Sequence, residues 1–158
     1  MKEIAVTGLN GHVLADVLTS LLHAGVTVNA YVNEPLKLMD TSTQLTAGLL
    51  KADDKTEMRR QFEGYNTIVM TFDDNQTVAD DNEFVLTRYN DMVNATREAG
   101  VKRLIVVGSP RAEAFFTSDL KRRDDLDWVY ISTEGDFGDR AAQEVVKPVA
   151  HHAVLAEN

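Results

Sequence analysis

The sequence predicts an α/β fold, a doubly wound parallel sheet in a single domain, and three observations carry that expectation. Short apolar runs of strand length alternate with amphipathic stretches of helical spacing along nearly the whole chain. The run Leu104-Ile105-Val106-Val107 is apolar throughout, as a strand covered on both faces must be. The helical stretches close on Gly25, Gly64 and Gly100, the residue type that best ends a helix.

In chain order, Ile4-Ala5-Val6-Thr7 reads as a strand that meets Gly8 and Gly11. Val13, Leu14, Val17, Leu18, Leu21 and Leu22 follow at spacings of three and four, one apolar stripe of a helix lying on a sheet. Residues 26–32 form a second strand, rich in β-branched side chains and stopped by Pro35. Residues 33–45 are polar and fit a loop or a short helix. A third strand is expected over 46–51, then a turn at Ala52-Asp53-Asp54 with helix-capping potential and a short helix over 55–63. Residues 66–72 form the fourth strand and about 79–99 a long helix. The fifth strand, 104–107, leads to Gly108-Ser109-Pro110 and a helical stretch to about Arg123. Trp128-Val129-Tyr130-Ile131 is the last strand, and residues 141–156 form a helix broken by Pro148.

The order strand, glycine turn, helix at residues 4–14 suits phosphate binding. A glycine after the strand permits a tight turn, a second lets the backbone approach a pyrophosphate, and the helix N-terminus offers N–H groups. The competing reading of Gly8 and Gly11 is a plain structural turn. Ligands of such sheets bind beyond the carboxyl ends of the strands, near the switch in strand order. That gathers Gly8, Asn33, Asp53, Phe72 and Ser109 around one crevice.

The chain of 158 residues suffices for one domain with a full core. It has no cysteine, which excludes disulfides, thiolate metal sites and a cysteine nucleophile. Sixteen basic against 25 acidic residues, a formal charge of −9, argue against nucleic acid as a partner. No apolar run approaches the roughly 20 residues of a membrane span. Met1-Lys2-Glu3-Ile4 enters a strand without a signal-peptide layout, so a cytoplasmic protein is expected. No metal is expected: His151 and His152 are adjacent on a helix and point apart, and Asp80-Asp81 and Asp124-Asp125-Asp127 read as solvated or capping acids.

Four segments carry a resemblance to a known group. They are Val6-Thr7-Gly8-Leu9-Asn10-Gly11-His12-Val13, Tyr31-Val32-Asn33-Glu34-Pro35-Leu36-Lys37-Leu38, Ala99-Gly100-Val101-Lys102-Arg103-Leu104-Ile105-Val106-Val107-Gly108-Ser109 and Leu126-Asp127-Trp128-Val129-Tyr130-Ile131-Ser132. With Phe137-Gly138-Asp139-Arg140 as the turn that follows, the chain resembles the atypical short-chain dehydrogenases, particularly the NmrA-like and NADH-flavin-reductase-like NAD(P)-binding proteins of Rossmann fold. The resemblance implies a dinucleotide held by Gly8, Leu9, Asn10, Gly11, His12 and Val13, with Asn33 and Glu34 at the adenosine ribose. It puts Asp53 at the adenine edge, with helix capping as the alternative, and the backbone at Phe72 beside the cofactor ribose. Ser109 falls on the nicotinamide side as a candidate catalytic hydroxyl, or it caps the next helix with Pro110. It also implies a flavin or quinone acceptor, and a homodimer through the 79–99 helix.

Four departures qualify the resemblance. The third glycine of the motif is Leu14, expected to crowd the helix against the first strand. Asn33 replaces an arginine and precedes Glu34, which favours NAD(H) over NADP(H), although Lys37 is near enough to counter that. The Tyr-x-x-x-Lys pair is absent, its nearest counterpart being Thr117 and Lys121, and the C-terminal substrate portion is reduced. Either a reductase that dispenses with a protein acid or a non-catalytic dinucleotide-sensing module follows. A third outcome is a fold that has lost its cofactor through Leu14 and Asn33.

Overall fold

The computed structural model describes residues 3–8, 11–32, 44–72 and 83–147. Among these residues are six strands: β1 (Glu3–Gly8), β2 (Thr27–Val32), β3 (Leu45–Leu49), β4 (Thr67–Thr71), β5 (Arg103–Gly108) and β6 (Asp127–Ser132). They form one parallel sheet in the order β3-β2-β1-β4-β5-β6. The helices are α1 (His12–His23), α2 (Lys55–Phe62), α3 (Glu83–Glu98), α4 (Glu113–Leu120) and α5 (Phe137–Val146), with a short 3-10 turn at Pro110–Ala112. The doubly wound expectation is met. Strand order reverses between β1 and β4, which stay paired through Gly8 and Thr71 while α1 and α3 lie on opposite faces, the arrangement that leaves a crevice at the carboxyl edge.

Side-chain alternation sorts the core into two layers. Ile4 and Val6 of β1 pack with Val17, Leu18 and Leu21 of α1 and with Ala141 of α5. Ala5, Ile68 and Met70 pack on the other face with Met58 and Phe62 of α2, Met92 and Val93 of α3, and Phe116 and Leu120 of α4. All residues of β5 are buried, as its apolar run foretold. Edge strand β3 is mostly exposed, and Leu49 is half-exposed.

Leu14 does not disturb α1. It is 1% exposed within the layer between α1 and the sheet, and burying such a side chain contributes roughly 1.5–3 kcal/mol. The close approach that the glycine motif would serve at position 14 occurs instead at Gly138. A Cβ there would lie 2.6 Å from Ser20 Oγ and 2.9 Å from the Asp16 carbonyl oxygen of α1. This corrects the reading of Phe137-Gly138-Asp139-Arg140 as a turn: these residues are the first turn of α5, which begins four positions before the expected Ala141. A glycine that looks like punctuation in the sequence is here a helix-packing residue. The expected helix over 79–99 is found as 83–98. Residues 79–82, Pro148 and His151-His152 lie outside the described residues.

Charge is matched at the amino edge of the sheet. Arg103 opens β5 and is fully buried. Its Nε bonds Asp127 Oδ2 of β6 at 3.3 Å, and its Nη1 donates to the carbonyls of Glu144 and Lys147 at 2.9 and 3.3 Å. One guanidinium thus joins two strands and satisfies the carbonyl end of α5, where a positive charge is favoured.

Candidate functional site

The crevice is built from the ends of β1 and β4. Gly8 stands opposite both Val32 and Thr71 in register. Its φ is +152°, and a Cβ at this position would run into the carbonyl oxygen and Oγ1 of Thr71. Glycine is required there by the neighbouring strand itself. Beyond it α1 starts with Gly11 as N-cap. No side chain caps this helix, and no acid lies in its first turn. Helix α2 differs, because Asp54 Oδ1 accepts the amides of Thr56 and Glu57, both at 3.1 Å. The positive end of α1 therefore carries no carboxylate of its own and suits an anionic ligand.

Thr71 adds a second feature. It is fully buried, and among the described residues its Oγ1 has no hydrogen-bond partner. The orphaned hydroxyl lies at the same place that a Cβ on Gly8 would fill. Gly8 beside Thr71, a helix start without a side-chain cap and a spare hydroxyl fit a diphosphate.

The other predicted residues take varied places. His12 is exposed at the start of α1, whereas the Val13 side chain is buried in the core, leaving only its backbone for a ligand. Asp53 is exposed at the carboxyl edge, and the capping role belongs to its neighbour Asp54. The Phe72 ring is buried and stacks on Phe116 with centroids 5.0 Å apart. Its N–H donates to the Val107 carbonyl at 2.8 Å. Ser109 is at the end of β5, its Oγ accepting the Ala112 amide at 3.2 Å and its carbonyl accepting Tyr130 Oη at 2.6 Å. The capping role of Ser109 is thus realised. Leu9, Asn10, Asn33 and Glu34 lie outside the described residues.

A family model described as NAD(P)H-binding matches residues 8–147. The chain belongs to the NAD(P)H-binding family. Among solved structures, a candidate epimerase from Bacteroides thetaiotaomicron is similar with a TM-score of 0.77 at 17% identity, over 96% of this chain and 94% of that one. The oxidoreductase ylbE from Lactococcus lactis follows with a TM-score of 0.70 at 18% identity, over 91% and 84%. The NADPH-dependent quinone oxidoreductase QOR2 from Escherichia coli, solved with NADPH, gives a TM-score of 0.62 at 17% identity. There the match covers 82% of this chain and 48% of that one, so this chain spans about half of that enzyme. At these identities the likeness is one of fold. Comparison with curated proteins gives no match. The family agrees with the resemblance drawn from the glycine turn and from residues 99–109.

The NAD(P)H-binding domain has a second polar cluster, which the sequence did not reveal. Tyr89 of α3 donates to Asp119 Oδ2 of α4 at 2.6 Å, and the same oxygen takes Arg123 Nε at 2.8 Å. Arg122 reaches Asp119 Oδ1 at 2.7 Å, and Arg123 also bonds Asn94 at 3.2 Å. Burial, and then the carboxylate beside it, push the Tyr89 phenol well above its ordinary range. Burial works to raise Asp119, but the bonds from Arg123, Tyr89 and Arg122 outweigh it and hold the carboxyl below its usual value. An open groove of about 480 Å³ borders this cluster, lined by Arg97, Asp119, Arg122, Arg123, Asp124 and Asp125. Arg97 already bonds both oxygens of Asp125, at 3.1 and 2.9 Å.

At the nearest counterpart of the Tyr/Lys pair, Thr117 Oγ1 bonds the Glu113 carbonyl of its own helix at 2.8 Å. Among the described residues no group of His, Asp and Glu could hold a metal ion. No described helix is long and apolar enough to cross a membrane.

Proposed function

We propose that this member of the NAD(P)H-binding family is a cytoplasmic NAD(P)H-dependent reductase of flavin or quinone-like acceptors. One observation carries the reading: the start of α1, without a capping side chain or an acid, meets Gly8 and the spare hydroxyl of Thr71 at the switch in strand order. Gly8 and Gly11 hold the diphosphate, and Leu9, Asn10, His12 and Val13 complete the turn around it. Asn33 and Glu34 take the adenosine ribose. The acid at position 34 accepts from a 2′-hydroxyl and repels a 2′-phosphate, which favours NADH over NADPH. Asp53 lies at the adenine edge, and the backbone at Phe72 passes the ribose. The cofactor supplies the hydride when bound, and the protein's part is to position it. Ser109 serves the nicotinamide side, since an oxygen that accepts the Ala112 amide still has its own proton to donate. The quinone oxidoreductase fold and the absent Tyr/Lys pair support an acceptor that needs no protein acid.

Calorimetric titration with NADH and NADPH, followed by assays with flavins and quinones, tests this. Tighter NADH binding and acceptor-dependent NADH oxidation are expected. Binding with no turnover on any acceptor would select the second reading, a non-catalytic dinucleotide-sensing module of the NmrA type. The support for that alternative is Thr117, whose hydroxyl is tied to its own helix. No binding of either nucleotide would overturn both.

A further inference from the structure

Of the buried threonines, Thr7 donates to the Tyr31 carbonyl at 2.8 Å and Thr96 to the Met92 carbonyl at 2.7 Å. Thr71 Oγ1 is equally removed from water and has no partner among the described residues. A hydroxyl stranded in this way costs stability that a valine of the same shape would not. The stranded group also has a particular place. It ends β4 opposite Gly8, where a Cβ would collide with it, and the first strand leads from there to the uncapped start of α1. Three groups that favour an anion therefore meet at one point: a helix N-terminus, a glycine that keeps the approach narrow, and an unused donor.

We propose that Thr71 is a dinucleotide-binding residue whose Oγ1 hydroxyl donates to a diphosphate oxygen of the bound cofactor. The proposal rests on the dinucleotide reading of the crevice. It adds to the glycine turn a side chain from a different strand, so that the diphosphate is held from both sides of the β1–β4 switch. Ligand binding satisfies the hydroxyl with a charge-assisted bond, which is stronger than a neutral one.

The test compares wild type, Thr71→Val and Thr71→Ser by NADH titration, with ADP-ribose as a second ligand that keeps the diphosphate and lacks the nicotinamide. Urea unfolding without ligand serves as the folding control. Thr71→Val is expected to be at least as stable as wild type, while its affinity for NADH and for ADP-ribose falls by about ten- to a hundredfold. Thr71→Ser, which keeps the hydroxyl, should bind within a few-fold of wild type. If wild type binds NADH and Thr71→Val binds it equally well, the role of Thr71 is overturned and the crevice reading stands. A matched loss in Thr71→Ser would also overturn it, by showing that shape matters and the donor does not. A wild type that binds neither ligand removes the crevice reading itself.

Discussion

At the amino edge of the sheet Arg103 is buried among partners, bonded to Asp127 and to two carbonyls at the end of α5, whereas at the carboxyl edge Thr71 is buried with none among the described residues. The helix ends near the two edges differ in the same sense. Arg103 satisfies the carbonyl end of α5, while the amide end of α1 has no side-chain cap. Buried polar groups normally find partners, so an edge that leaves them spare is organised for something that arrives later. The difference separates groups that hold the fold from groups that await a ligand.

If that division is sound, variants at the two edges separate stability from binding. The largest effect belongs to Arg103→Ala. It leaves Asp127 without its buried partner and frees the α5 carbonyls, so a loss of about 3–5 kcal/mol in urea unfolding is expected. NADH affinity of the folded fraction should change little.

Tyr89→Phe comes next. It removes a bond to a charged acceptor between α3 and α4, at a cost of about 1–2 kcal/mol. The pH dependence follows from the directions of the shifts. Asp119 is held low, so its contribution is in place above the ordinary carboxylate range, about pH 4, and is lost as pH falls below it. Tyr89 is pushed up, so its contribution is complete below about pH 10 and fades at higher pH. Stability measured from pH 3 to 11 should therefore fall at both ends in wild type, and Tyr89→Phe should lose the alkaline decline. A flat alkaline limb in wild type would contradict the burial and the neighbouring carboxylate that push Tyr89 up.

Much of this molecule was legible in its sequence, for reasons that differ by element. The strands of the buried centre were plain because a run such as Leu104–Val107 has no other comfortable environment. The glycine turn was plain because glycine there answers a backbone requirement. Boundaries slipped where a residue type has two uses. Gly138 reads as part of a turn, yet it lies inside α5 and is glycine because α1 passes too close for a Cβ. Of the site, the sequence pointed to Gly8, Gly11 and the end of β5, but it could not show Thr71. A threonine at the end of a β-branched strand looks ordinary, and only the third dimension shows that its hydroxyl lacks a partner while those of Thr7 and Thr96 do not. The bond from Tyr89 to Asp119 was hidden for a similar reason. Residues 30 positions apart on two helices meet only because the fold packs both helices on the same face of the sheet.

The central claim is that the β1–β4 end of the sheet holds the dinucleotide, and amide hydrogen exchange with and without NADH tests it most directly. Slowed exchange is predicted across residues 11–15 and at Thr71 and Phe72, with residues 119–127 unchanged. Protection confined to the groove around Arg97, Arg122 and Arg123, with the start of α1 unaffected, would contradict the account.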